Sequence, residues 1–148
     1  MRTRLGLVVL AVVAMALVAA GCGGDDDDDA PTKEEFITQA DDICTEGDQV
    51  IEEQAAEVFG SGQPSKAQQE AFIEDTVIPE TQSQIDGIRE LTPPEGDEDE
   101  VNAIVDAADQ GIDEIESDPA ALTQGGANPL AEASQLAAEY GMKDCGQG

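Results

Sequence analysis

From Thr32 to Tyr140 the apolar positions recur at helical spacings, and no segment of useful length alternates with the two-residue period of a strand. Thr32 and Glu35, just after Pro31, have the spacing of a capping box. Phe36, Ala40, Ile43, Gly47, Val50 and Val58 follow at separations of three, four or their sums, which predicts a first helix ending near Phe59. Gly60-Ser61-Gly62-Gln63-Pro64 then reads as a loop. A second helix opens at Ser65, with Gln68 as box partner, and carries Ala71, Phe72, Val77 and Ile78. Pro79 removes a backbone donor, yet Ile85, Ile88 and Leu91 continue the apolar face, so the expectation is a kinked helix rather than a terminated one. Pro93-Pro94 breaks it.

Beyond the acidic run EGDEDE, Glu95 to Glu100, a third helix is expected with Val101, Val105, Ala108, Ile112, Ile115 and Leu122 on one seam. The acids at its start suit the positive end of a helix dipole. Gln124 to Ala127 is glycine-rich loop, and Asn128-Pro129 offers a cap and a preset first turn for a short fourth helix. That helix should bury Leu130, Ala133, Leu136 or Ala137, and Tyr140, and stop at Gly141. The pattern as a whole predicts an all-α protein: an antiparallel up-down four-helix bundle with a kinked second helix and a short fourth helix.

The front of the chain follows a different rule. Leu5 to Ala20 contains no charge and is preceded by Arg2 and Arg4, the layout of a secretory signal, and it is short for a membrane span of about 20 residues. It leads into LVAAGCGGDDDDDAPT, Leu17 to Thr32. Ala19, Ala20 and Gly21 before Cys22 resemble the lipobox of bacterial lipoproteins, although that family usually places Leu, Val or Ile where Ala19 stands. The resemblance implies that the Cys22 thiol takes a diacylglycerol and that the chain is cleaved before it. The alternative is an ordinary signal cleaved near Ala19-Ala20-Gly21, leaving a free thiol at Cys22. Two or more acyl chains, at about 0.8 kcal/mol per buried methylene, hold a protein stably to a bilayer.

The lipid would then be the membrane partner, with the protein on the extracytoplasmic face of the cell membrane. Gly23-Gly24 gives a flexible exit, and Asp25 to Asp29 repel one another and anionic headgroups, so the segment stays extended. At up to about 3.3 Å per residue, Gly23 to Thr32 spans roughly 30 Å. The expected organisation is a signal over residues 1–21, an acidic tether over 22–32 and a helical domain over 33–148.

Charge narrows the function. All 34 acidic residues lie beyond Cys22, whereas two of the six basic ones, Arg2 and Arg4, precede it; four basic against 34 acidic residues leave a net charge of −30 after cleavage. Such a surface repels nucleic acid. Acidity of this kind serves solubility, or it attracts cations or a basic partner. The specific form of the latter is low-affinity binding of divalent cations by EGDEDE and by Asp25 to Asp29, though the aspartate run lacks the alternating ligands and turn glycine of a calcium loop.

Cys44 and Cys145 remain as a pair in a domain expected outside the cytoplasm, where thiols oxidise. At about 1.5 Å per residue, a first helix roughly 40 Å long places Cys44 some 18 Å from one end. A fourth helix descending about 18 Å from the other end reaches a similar height by Tyr140. The tail after Gly141 can then carry Cys145 to Cys44. Two free thiols or a redox pair is the alternative, and no C-x-x-C spacing or neighbouring base supports it.

Histidine is absent, which removes the usual general base, the usual transition-metal ligand and any serine or cysteine triad of the standard kind. There is no glycine-rich phosphate loop and no tryptophan to form a sugar platform. The expectation is a protein that is not an enzyme and carries no cofactor or metal. ADDIC (Ala40 to Cys44), Pro79, LTPP (Leu91 to Pro94) and YGMKDCG (Tyr140 to Gly146) resemble segments of small secreted lipoproteins of actinobacteria, which implies a disulfide-closed helical fold and no activity. The function expected is therefore binding or structural, in the cell envelope, with an envelope protein or wall component as partner.

Overall fold

The computed structural model describes residues 30–60, 62–123 and 127–147. The signal segment, Cys22 and the aspartate run lie outside these residues, as do Ser61 and the centre of the glycine loop at 124–126. Among the described residues the protein is all-helical, with no strand.

Helix α1, Lys33–Phe59, begins in the expected capping box: the Thr32 hydroxyl accepts from Glu35 N–H while the Glu35 carboxylate accepts from Thr32 N–H at 2.9 Å. That interaction holds the Glu35 carboxyl below its ordinary range, chiefly through the Thr32 backbone. Its buried face is Phe36, Ala40, Cys44 and Gly47. Phe36, Ala40 and Gly47 of the expected stripe are buried, Ile43 is half-buried against the core, and Val50, at 36% exposure, lies outside it. Cys44, four residues beyond Ala40 on a 3.6-residue turn, joins that face.

The second helix is α2 (Lys66–Phe72), a π turn (Ile73–Val77) and α3 (Ile78–Glu90) in continuous succession. Ser65 and Gln68 form its capping box. The π turn answers the question raised by Pro79. Its widened loop, closed by Ile78 N–H on Ile73 C=O, precedes a residue with no donor of its own and relieves the clash a proline ring makes with the preceding turn. Phe59 and Phe72 stack edge-to-face at 5.4 Å where α1 and α2 meet, with Phe59 still 39% exposed.

Helix α4, Glu98–Ser117, buries Val101, Ile104, Val105, Ala107, Gly111, Ile112 and Ile115. It ends five residues before Leu122: Asp118 accepts from Ala120 N–H at 3.2 Å and Pro119–Leu122 forms a separate 3-10 turn. Helix α5, Ala131–Tyr140, starts after an Asn128 turn in which the side-chain oxygen accepts from Leu130 N–H, and it ends at Gly141 with φ of 118°, a left-handed stop.

Helix α3 packs between α1 and α4, and α5 packs on α4. The core holds Phe36, Ile73, Ile85, Ile88, Val101, Ile104, Ile112, Ile115 and Tyr140, together with Met142 from the tail. Cys44 and Cys145 are bonded, with their Cα atoms 5.3 Å apart across a sequence separation of 101. In the chain-entropy account a loop of that length is worth up to about 4.7 kcal/mol. No helix among the described residues is long and apolar enough to cross a membrane.

Candidate functional site

A cleft of about 120 Å³ opens in the middle of the helices, beside the disulfide. Its existence follows from the small residues of α5. Ala133 and Ala137 lie one turn apart on the buried face, with Ser134 next to them, and these side chains are too short to fill the space towards α3. Ile85 and Ile88 of α3 form the opposite wall, and Ile104 and Ala108, one turn apart on α4, form the floor. Leu130 closes the end at the start of α5, and the Cys44–Cys145 bridge closes the side. The lining is mostly apolar.

The polar groups lie on the α1, α3 and tail side: Asp48, Thr81, Gln84 and Asp144. Burial pushes the Asp48 carboxyl above its ordinary range. The Gln84 amide offsets part of that rise, whereas the neighbouring charges of Glu52 and Asp144 add to it. Asp48, Glu52 and Asp144 also border one shallow depression on the outside of the rim, so the three acids share a surface. No lysine or arginine lines either the cleft or that depression.

Gln84 is seated by a glycine. A Cβ built on Gly47 would come within 2.2 Å of Gln84 Nε2, so only the bare Cα of residue 47 lets the amide lie against α1. Although it lies close enough to influence Asp48, Gln84 Nε2 is buried with no hydrogen-bond partner at bonding distance.

The tail that supplies Asp144 and Cys145 is fixed by a residue that sequence reasoning passed over. Asp41 accepts backbone N–H groups from Lys143 at 3.0 Å, Asp144 at 3.0 Å and Cys145 at 3.4 Å. Met142 is fully buried beneath them. The signal was present in retrospect: Asp41 lies three residues before Cys44, one helical turn, and therefore on the side from which Cys145 must approach.

The EGDEDE run is engaged in structure. Glu98 accepts from Gly96 N–H at 2.9 Å, and Asp97, at the start of α4, accepts from the Tyr140 hydroxyl at 2.8 Å. Lys33 sits 3.6 Å from Asp97, 3.7 Å from Glu100 and 3.6 Å above the Tyr140 ring. These contacts join the start of α1, the start of α4 and the end of α5. Among the described residues no group of three or more His, Cys, Asp or Glu side chains could hold a metal ion. Of the sites expected from sequence, Cys44 and Cys145 are brought together, and Cys22 and Asp25 to Asp29 fall outside the described residues.

Chemically the cleft offers an apolar interior, two hydroxyls from Thr81 and Ser134, one amide and a carboxylate edge, in a chain without histidine. That combination is of the kind that holds a small molecule, with the Asp48 carboxylate at its edge. Comparisons with protein-family models, with curated proteins and with solved structures each return no match.

Proposed function

We propose that the protein is a lipid-anchored, non-enzymatic binding module on the extracytoplasmic face of the cell membrane. Cys22 carries the lipid, residues 23–32 form the spacer, and the helical domain presents its central cleft to the envelope space. A preformed apolar cleft in a histidine-free, strongly acidic chain is the observation that carries this reading. A binding module needs a fixed cavity, and the bridge and the Asp41 clamp rigidify the wall beside it. An envelope protein or wall component is the proposed partner class for the outer faces.

The four helices run up and down in antiparallel order in this proposal, with the second kinked at its π turn. Support comes from contacts whose residue numbers rise on one helix as they fall on the next: Gln84 beside Gly47 and Ile43 beside Gly87, then Arg89 with Asp109 and Gln82 with Glu116. The divalent-cation reading has less support. Asp97 and Glu100 already face Lys33, and Glu98 caps its own turn.

Intact mass of protein extracted from membranes tests the anchor. The expected product begins at Cys22, carries acyl mass and is two hydrogens lighter than the form with both remaining thiols reduced. An unacylated product recovered from the medium overturns the anchored reading.

A further inference from the structure

The contents of the cleft are constrained from several sides. An apolar cavity of about 150 Å³ accommodates a benzene-sized body, so the 120 Å³ here suits a chain of about four or five carbons. The Ile85, Ile88 and Ile104 walls give such a chain a dry seat. At the rim the carboxylates of Asp48 and Asp144 carry like charge beside one another, and no basic residue lines the cleft to compensate them. An anion is repelled there. A metal ion lacks a converging ligand set among the described residues. A neutral alcohol leaves the rim charge as it was.

We propose that the cleft binds a small organic cation, an alkylammonium whose short hydrocarbon chain lies between α3, α4 and α5 while its ammonium group sits between Asp48 and Asp144. The proposal deepens the binding role given above and rests on it. An ammonium needs only one or two carboxylate contacts, which is what two acids on neighbouring elements supply. Entry of the cation compensates the repulsion among Asp48, Glu52 and Asp144, whereas an uncharged chain of the same length gains the apolar contact alone.

Methyl NMR of the purified full chain tests this, with n-butylammonium, n-butanol and n-butyrate titrated at matched physiological ionic strength. Butylammonium should produce saturable shifts of the Ile85, Ile104 and Ala137 methyls at about fivefold lower concentration than butanol, the ratio expected of a partly exposed ion pair. Butyrate should bind weakest. Asp48→Asn should bring butylammonium close to butanol, and Ala137→Leu should abolish the Ile85 and Ile104 shifts for every probe. Ser134→Val blocks the same space if Ala137→Leu fails to fold. Equal affinity for butylammonium and butanol overturns the cationic assignment, and absence of saturable shifts with any probe overturns the cleft as a ligand site. Neither result alters the acyl mass of membrane-extracted protein, so the anchor is judged separately.

Discussion

Asp41 Oδ1 accepts the backbone N–H of Asp144 at 3.0 Å across a separation of 103 residues. The same carboxylate takes the N–H groups of Lys143 and Cys145, so one side chain on α1 holds three consecutive amides of the C-terminal tail. A carboxylate accepting backbone N–H groups forms charge-assisted bonds, stronger than neutral ones. Asp41→Ala leaves these amides to water and should cost about 1–2 kcal/mol in urea unfolding, less than full burial would give because the site is largely exposed. Asp41→Asn, keeping one acceptor, should lose less. Equal stability of Asp41→Ala and the parent chain would show that the bridge alone fixes the tail.

Tyr140 is the chain's single tyrosine, so its ionisation can be read without interference. Burial raises the phenol pKa well above the ordinary 10.0, and the hydrogen bond to Asp97 and the charges of Asp97 and Glu100 raise it further. Since the folded value lies above the unfolded one, the stability this group contributes is complete below pH 10.0 and is lost as pH climbs towards the raised value. In the native protein the near-ultraviolet tyrosinate band should therefore stay absent at pH values where free tyrosine is half ionised. Asp97→Asn should bring the transition down. A native-state transition at the ordinary value contradicts the Tyr140–Asp97 contact.

Two glycines on buried helix faces should differ in how far they tolerate alanine. A Cβ on Gly111 would meet Leu130 Cδ2 at 2.7 Å and, more seriously, the Pro129 carbonyl oxygen at 2.8 Å, where the backbone at the start of α5 must yield. Gly111→Ala should destabilise by about 1–2 kcal/mol even after the gain in helix propensity. At Gly47 the obstacle is side chain alone: Gln84 Nε2 at 2.2 Å and its Cδ and Cγ at 2.6 Å, so Gln84 must take another rotamer while no backbone has to yield. Gly47→Ala should cost less than Gly111→Ala, about 1 kcal/mol or below, because a propensity gain of up to about 1 kcal/mol offsets part of the displacement of Gln84. Denaturant midpoints of the two variants decide the order.

Asp48 links the cleft to pH. Its folded carboxyl is raised above the unfolded value near 3.8, so its contribution to stability is present below that pH and fades as pH rises through the raised folded value. Asp48→Asn removes a charge that Glu52 and Asp144 oppose, and should raise the melting temperature at neutral pH. The advantage should shrink steadily on acidification towards pH 3.8. A gain independent of pH would place its origin in packing rather than charge.

Much of the helical framework was legible in the chain. The capping boxes at Thr32 and Ser65 and the stop at Gly141 are local devices, in which neighbouring side chains meet backbone donors a few residues away, so sequence spacing suffices to find them. The bridge was legible for a related reason, since helix rise and loop position bring Cys145 to the height of Cys44. Helix α4 stops short of Leu122, which keeps the apolar spacing only after Asp118 and Pro119 have already turned the chain.

The cleft was a matter for tertiary structure. Ala133, Ser134 and Ala137 read in sequence as ordinary small positions of a buried helix face. They become a cavity only because Ile85, Ile88 and Ile104 stop short of filling the space opposite them. In the same way the acidic character of the chain was evident from its composition, but which acids are occupied depends on partners far away in sequence: Asp97 by Tyr140 and Lys33, Asp41 by the tail. Periodicity and capping determined that this chain forms helices and which way each faces, since those depend on residues within a turn or two. The cavity, the tail clamp and the charge-bearing rim at Asp48 were decided by packing between distant segments, because volume left unfilled and charge left unpaired are properties of the assembled helices.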